Sequence, residues 1–287
     1  MDFVIFVLLQ FHFTKRINMD LSNQLNCRIT QTVQVSPIMK IIKVSPVDWK
    51  FPAFEAGQFV ALGLSPDAGR CKEATEEHSE PKPDKLIRRA YSIASASTED
   101  SVEFYITLVH SGQLTPRIFD LNIGDKIFMG KKAVGMFTLD QIDDERNVVL
   151  IATGTGVAPY MSMLRSNALR RKGRITVIHG AANSWDLGYS SELKLLASMF
   201  PNFSYYPTIT EPKNEPVGWE GDTRFIRDIW EDGFSQKHWG FDPSPEDTDF
   251  FLCGNPRMVD GMKESLFAQG FKDHKKKEPG QIHAEEF

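Results

Sequence analysis

"NVVLIATGTGVAPY", residues 147–160, is an apolar run that breaks at two glycines and resumes with a proline. Residues 148–152 are continuously apolar with no polar alternation, the pattern of a strand buried on both faces. Gly154 and Gly156 read as a tight turn, and Pro159 suits the first turn of a following helix. Their missing side chains would let a backbone approach a phosphate, with helix N-terminal amides as donors. A purely structural βα connection would use the same glycines, and the full GxGxxG spacing is absent.

Downstream of this stretch, strand and helix alternate. Met161, Leu164 and Leu169 follow a helical period, "RITVIHG" (174–180) reads as a strand and "SSELKLLASMF" (190–200) as a helix. "FSYYPTIT" (203–210) is a further strand, "TRFIRDIWE" (223–231) a helix and "DFFLCG" (249–254) a strand. The last helix, 256–270, carries Met258, Met262 and Leu266 on one face before Gly270 stops it. Such alternation predicts an α/β domain with a parallel sheet over residues 145–287. Cys253, Gly254, Asn255 and Pro256 stand at the carboxyl end of a strand, the edge where such sheets bind ligands. A buried structural role is the ordinary one for a lone thiol.

Upstream, the pattern changes. Short strands are predicted at 26–35, 39–44, 58–64, 89–95, 102–109 and 126–130, separated by Pro, Gly and Asp signals. They suggest a small closed antiparallel β-barrel over residues 25–142. An insertion, "SPDAGRCKEATEEHSEPKPDK" (65–85), is charged and nearly free of large apolar groups, and is expected to be a mobile surface loop. Residues 1–24 open with a short apolar run, too short to span a bilayer and without a signal-peptide pattern; an early start or a flexible extension is expected.

Within the barrel half, "RRAYSIAS" (88–95) places arginines before an aromatic ring. Strand alternation puts Arg89, Tyr91 and Ile93 on one face and Arg88, Ala90 and Ser92 on the other. A guanidinium and a ring at this spacing suit an anion and a flat ligand; they also suit an exposed cation resting on a ring. "SGQLTPRIFDL" (111–121) predicts a short helix with Thr115 as N-cap and Pro116 at its first position.

Composition bounds the function. The 287 residues are 25% charged and 41% hydrophobic, with a formal net charge of -5, which argues against nucleic acid as a partner. The three cysteines, Cys27, Cys71 and Cys253, form no CxxC pair, so neither a disulfide framework nor a cluster or metal site is expected.

RAYS (89–92), GQLT (112–115), GTGVAPY (154–160) and CGNP (253–256), in this order and spacing, resemble the ferredoxin–NADP reductase family in its bacterial form. The resemblance covers about residues 25–287 and rests on four ordered motifs. It implies a two-domain flavoprotein. Arg89 would pair with the FAD pyrophosphate, Tyr91 would pack on the isoalloxazine, and Ser92 would bond near flavin N5. Ala90, Tyr105, Gln113, Leu114 and Thr115 would complete the flavin site. Gly154, Thr155, Gly156 and Pro159 would hold the nicotinamide dinucleotide, with Cys253 beside its ring and Gly254, Asn255 and Pro256 behind it. Phe287, the terminal aromatic, would cover the flavin. Glu285 and Glu286 resemble acidic tail residues, without an assigned proton-donor role.

One departure concerns NADP. Where the family carries cations for the 2′-phosphate, this chain has Ala182 or Asn183 and then Thr210–Glu211, leaving Arg224 with Arg227 or Lys213 as helpers. A carboxylate there repels a phosphate and can accept from a 2′-hydroxyl, so either NADP or NAD is expected. The resemblance implies a cytoplasmic, monomeric enzyme exchanging electrons with ferredoxin or flavodoxin; Arg88, Lys131 and Lys132 suit steering of such an acidic carrier and equally an ordinary solvated face. Two other readings remain: a reductase subunit of an oxygenase or dehydrogenase, and a non-enzymatic flavin-barrel module.

Overall fold

The structure, a computed structural model, describes residues 21–286. Its first part is an antiparallel sheet of β1 (Cys27–Ser36), β2 (Met39–Pro46), β3 (Phe59–Leu64), β4 (Ile87–Ser92), β5 (Val102–Thr107) and β6 (Lys126–Met129). The strand order is β4-β3-β6-β1-β2-β5. The sheet curls until its outer strands meet: just past β4, the Ala94 N–H donates to the Glu103 carbonyl at 2.8 Å. Inside lie Ile42, Val44, Val60, Leu62, Phe104 and Ile106, and the one-and-a-half-turn helix α1 (Thr115–Asp120) plugs the barrel with Ile118.

The second part is a parallel sheet of β7 (Asn147–Thr153), β8 (Ile175–Ala181), β9 (Phe203–Ile209), β10 (Thr248–Gly254) and β11 (Ile282–Glu286), in the order β11-β10-β7-β8-β9. Helices α2 (Ala158–Ser166) and α3 (Ser190–Met199) cover one face. Helices α4 (Ile226–Glu231), α5 (Phe234–Trp239) and α6 (Pro256–Ala268) cover the other. Double coverage explains the unbroken apolar run of β7: Val148, Leu150 and Ala152 face one core, Val149 and Ile151 the other. Both predicted architectures are therefore present.

Three expectations need correction. Residues 21–24 are not a loose extension: they form a 3₁₀ turn with Leu21 buried, while the apolar run before them lies outside the described residues. The 65–85 insertion has no helix or strand, yet it is not free. The Thr75 N–H donates to the His110 carbonyl, the Cys71 N–H to the Pro116 carbonyl, and the buried Arg117 binds Glu77 and the Pro66 carbonyl. Polar side chains that looked like a solvated loop are spent on the barrel. Thr115 is not an N-cap; it is the first helical residue, and its hydroxyl accepts from the Val109 N–H at 2.9 Å.

The two domains are joined through a strand used on both sides. In β5, Val102, Phe104 and Ile106 face the barrel core while Glu103, Tyr105 and Thr107 face the second domain. Glu103, 5% exposed, accepts from Arg165 of α2 at 2.7 Å and from the Tyr189 hydroxyl at 2.8 Å, with Lys43 at 3.5 Å across the β2–β5 pair. Arg165 also grips Glu192 of α3 and the Ala94 carbonyl. Tyr189 itself has φ 63, a conformation that costs a bulky residue about 1 to 3 kcal/mol and is held here by its ring contact with Tyr105 and its bond to Glu103.

Removing one partner of such a buried pair strands the other. Arg165→Met is expected to lower unfolding free energy by about 3 to 5 kcal/mol, and adding Glu103→Gln should cost far less than its single effect. Urea titration of both singles and the double checks this. Additive losses would show that the pair is not coupled.

Candidate active site

β4 and β5, the outer strands, form no ladder with each other, so apart from the Ala94–Glu103 closure a gap remains between them, and Gln113 of the 109–117 segment meets β4 at its rim. Across from Val60 and Leu62 of the barrel core, β4 carries Tyr91 and Arg89 on the same inner face, as strand alternation predicts. Tyr91 is half-buried and Arg89 exposed. The Arg89 guanidinium donates to the side-chain oxygen of Gln113 at 3.3 Å, so two motifs 24 residues apart meet at one place. Gln113 in turn donates to the Ser79 carbonyl at 2.9 Å, which brings the insertion to the same rim. Ala90 and Ser92 lie on the outer face of β4; Ser92 is half-buried opposite Phe59.

Two predicted flavin residues are placed differently. Tyr105 is 4% exposed and turned into the domain interface, where its hydroxyl accepts from the Gly188 N–H at 3.1 Å; it supports the interface and does not line the gap. Leu114 sends its side chain into the barrel core, and its carbonyl is taken by the first turn of α1, leaving its N–H as the group a ligand could use.

The glycine turn adjoins this region. The hydroxyls of Thr107, at the end of β5, and Thr155 lie 3.2 Å apart. Gly156 is required by packing: a Cβ there would stand 2.1 Å from the Cys253 carbonyl oxygen. Gly254, with φ 134, has the reciprocal constraint, since its Cβ would fall 2.3 Å from the Thr153 hydroxyl. That hydroxyl accepts from the Asn255 N–H at 2.8 Å, and the Asn255 side chain caps α6 through the Arg257 N–H. Pro159 is buried in the first turn of α2 and Pro256 opens α6. The turns after β7 and β10 are thus one fused unit.

Cys253 is completely buried, and burial pushes its thiol well above the ordinary range, so it is a neutral thiol. Beside it in register stands Glu285 of β11. Burial raises the Glu285 carboxyl to about 7, so it holds a proton for part of the time at neutrality. The tail is therefore the fifth strand of the sheet, with Glu286 opposite Gly254; Phe287 lies outside the described residues. Among the described residues no His, Cys, Asp and Glu group could hold a metal ion, and no helix is long and apolar enough to cross a membrane.

Sequence reading missed His179. Its ring is fully buried beneath the glycine turn, where Nε2–H donates to the Gly154 carbonyl at 2.9 Å. A histidine inside an apolar strand carries no signal of that partner, which lies 25 residues away. Burial lowers its pKa from 6.5 to about 4. Above pH 6.5 both folded and unfolded states are neutral and the stability is intact. Below it the unfolded chain takes the proton first, so stability falls until about pH 4. Between pH 7 and 5 the wild type is expected to lose about 2 kcal/mol more than His179→Gln, measured by urea unfolding. Equal losses would remove the buried neutral ring from the account.

Comparison with known proteins agrees with this architecture. Residues 150–264 match the oxidoreductase NAD-binding domain family. The chain is 32% identical over 236 residues to a flavodoxin/ferredoxin–NADP reductase of Buchnera aphidicola, covering 82% of this chain and 88% of that one. It is 29% identical to a ferredoxin–NADP reductase of Azotobacter vinelandii over 76% of this chain and 80% of that one. A solved ferredoxin NADP+ reductase of Neisseria gonorrhoeae, described with bound FAD and NADP, superposes with a TM-score of 0.75 at 26% identity, covering 91% and 97% of the two chains. With its antiparallel barrel fused to a doubly covered parallel sheet and its sequence shared along most of its length, the chain belongs to the ferredoxin–NADP reductase family of oxidoreductases.

Proposed function

We propose that the chain exchanges a hydride between a nicotinamide dinucleotide and FAD, and single electrons with a small carrier protein, ferredoxin or flavodoxin. The observation that carries this reading is the meeting of Arg89 with Gln113 at the barrel gap, next to the Thr107–Thr155 contact that sets the glycine turn against it. The residues suit FAD: an exposed guanidinium offers paired donors to a diphosphate, and the half-buried Tyr91 ring on the same face suits a flat ligand. Bound FAD would supply two-electron exchange with nicotinamide and one-electron exchange with the carrier. The barrel half, residues 25–142, would hold FAD, and residues 145–287 the nicotinamide dinucleotide.

The chain's own groups then have separate tasks. Arg89 and Gln113 hold the diphosphate, and the Leu114 and Thr115 amides stand beside them. The fused turns of Gly154–Val157 and residues 254–256 set the floor for the nicotinamide, with Cys253 aligning the reacting rings; Ser92, the last residue of β4, joins it only by turning in from the outer face at the strand end. Half-buried Glu285 holds a proton for part of the time beside Cys253. Phe287 is proposed to cover the flavin face and to yield to nicotinamide.

The purified protein should be yellow and should bleach anaerobically with reduced nicotinamide, then reduce ferredoxin or flavodoxin in stopped flow. A colourless protein that takes up no FAD would defeat the proposal. Arg89→Ala is expected to weaken FAD binding by about 1.5 to 3 kcal/mol, the worth of a charge-assisted contact, read by flavin fluorescence on dilution. Unchanged retention would take Arg89 out of the site. Ser92→Ala and Cys253→Ala should each slow single-turnover flavin reduction by about tenfold or more while FAD stays bound. Wild-type rates in both would show that neither aligns the rings.

A further inference from the structure

Strand β8 ends at Ala181 and β9 at Ile209, and the segments leaving them are joined by the Thr210 N–H to the Ala181 carbonyl at 3.1 Å and the Glu211 N–H to the Ala182 carbonyl at 2.8 Å. Next along this edge, Ser184 presents two donors side by side. Both are occupied by one carboxylate: Glu215 accepts from the Ser184 N–H at 2.7 Å and from its hydroxyl at 2.6 Å. A third bond, from the Asn214 side-chain amide to the Asn183 side-chain oxygen at 3.1 Å, fixes the loop that carries Glu215. Converging donors of this kind suit an anion, and here the protein fills the place with its own.

The cations nearby are committed elsewhere. Arg224 puts Nε and Nη2 on Asp222 and Nη1 on Asp232, so each guanidinium nitrogen has a carboxylate. Arg227 pairs with Glu231 and Glu264. Of the three expected cations, Lys213 alone lacks a carboxylate partner among the described residues. Phe225, 68% exposed, and Trp185, 37% exposed, flank Arg224 and Ser184 and offer flat apolar faces to a purine.

We infer, on the reading that this edge takes the adenosine half of the dinucleotide, that Glu215 makes the site selective for NADH over NADPH. A 2′-phosphate arriving here meets the carboxylates of Glu215 and Glu211 and must pull Arg224 away from two others. A free 2′-hydroxyl donates to a remaining lone pair on Glu215, as acidic residues do in dinucleotide sites that take an unphosphorylated ribose. Glu211 adds repulsion from the neighbouring strand end. Glu215 adds the geometry, because its grip on Ser184 removes the donors a phosphate would use.

The test uses the FAD-loaded enzyme with ferricyanide as electron acceptor, so that the natural carrier is not needed. kcat/KM is measured for NADH and NADPH in wild type, Glu215→Gln and Glu215→Ser, with 5′-AMP and 2′,5′-ADP as competing probes. Wild type is expected to favour NADH by about tenfold or more and to bind 2′,5′-ADP no more tightly than 5′-AMP. Both variants should shift the ratio toward NADPH by about tenfold, chiefly through KM for NADPH, with Glu215→Ser gaining affinity for 2′,5′-ADP. A wild type that favours NADPH, or a ratio unmoved in both FAD-loaded variants, overturns the inference and leaves the flavin reading standing. If neither nicotinamide bleaches the wild-type flavin, the reading itself fails and the inference falls with it.

Discussion

Glu103 sits where the barrel closes and where the second domain docks. Its backbone carbonyl receives the Ala94 N–H that completes the barrel, and its carboxylate receives Arg165 and Tyr189 from the other domain. A carboxylate with 5% exposure is tolerable only while those donors stay in place, so closure and docking stand or fall together. The same strand, four residues further on, brings Thr107 to Thr155, and the glycine turn is thereby held beside the barrel gap. Loss of the buried network would act on the site without touching a ligand.

Within the second domain the constraint is steric more than electrostatic. Gly156 and Gly254 let two turns press together with backbone against backbone, and His179 braces the first of them from below as a neutral donor. A side chain at either glycine would separate β7 from β10 at the end where ligands of parallel sheets are bound. Rigid placement of this kind suits a reaction in which two rings must be set face to face and water kept out.

How far the sequence told this in advance differs by residue. The unbroken apolar run of β7 and the glycines after it made the parallel sheet legible, and the alternation of 88–95 put Arg89 and Tyr91 on one face correctly. Alternation cannot say which partner covers each face. The flavin role of Tyr105 came from the family resemblance alone, and its side chain packs toward the other domain; Glu103 on that same face gave no sign of its importance. Arg165 and Glu215 are ordinary surface charges in a one-dimensional reading. They gain meaning only from partners 62 and 31 residues away. Thr115 shows a smaller failure: a Thr-Pro pair signals a helix start, but the hydroxyl answered a donor in the preceding loop.

The insertion after β3 has a consequence for local stability. Lengthening a loop costs chain entropy only logarithmically, so such a segment can be accommodated without unsettling the barrel. Most of its outside attachments run to the short stretch from His110 to Arg117, through Glu73, Thr75, His78, Ser79 and Glu77. A segment fastened along one seam opens as a unit, with an opening free energy of its own that is smaller than that of the whole fold. Its basic residues Arg70, Lys72 and Lys85, none of them followed by proline, make it cleavable by trypsin once released. The rate of nicking there therefore gauges how firmly the seam is held, and any molecule that binds across the seam would slow it.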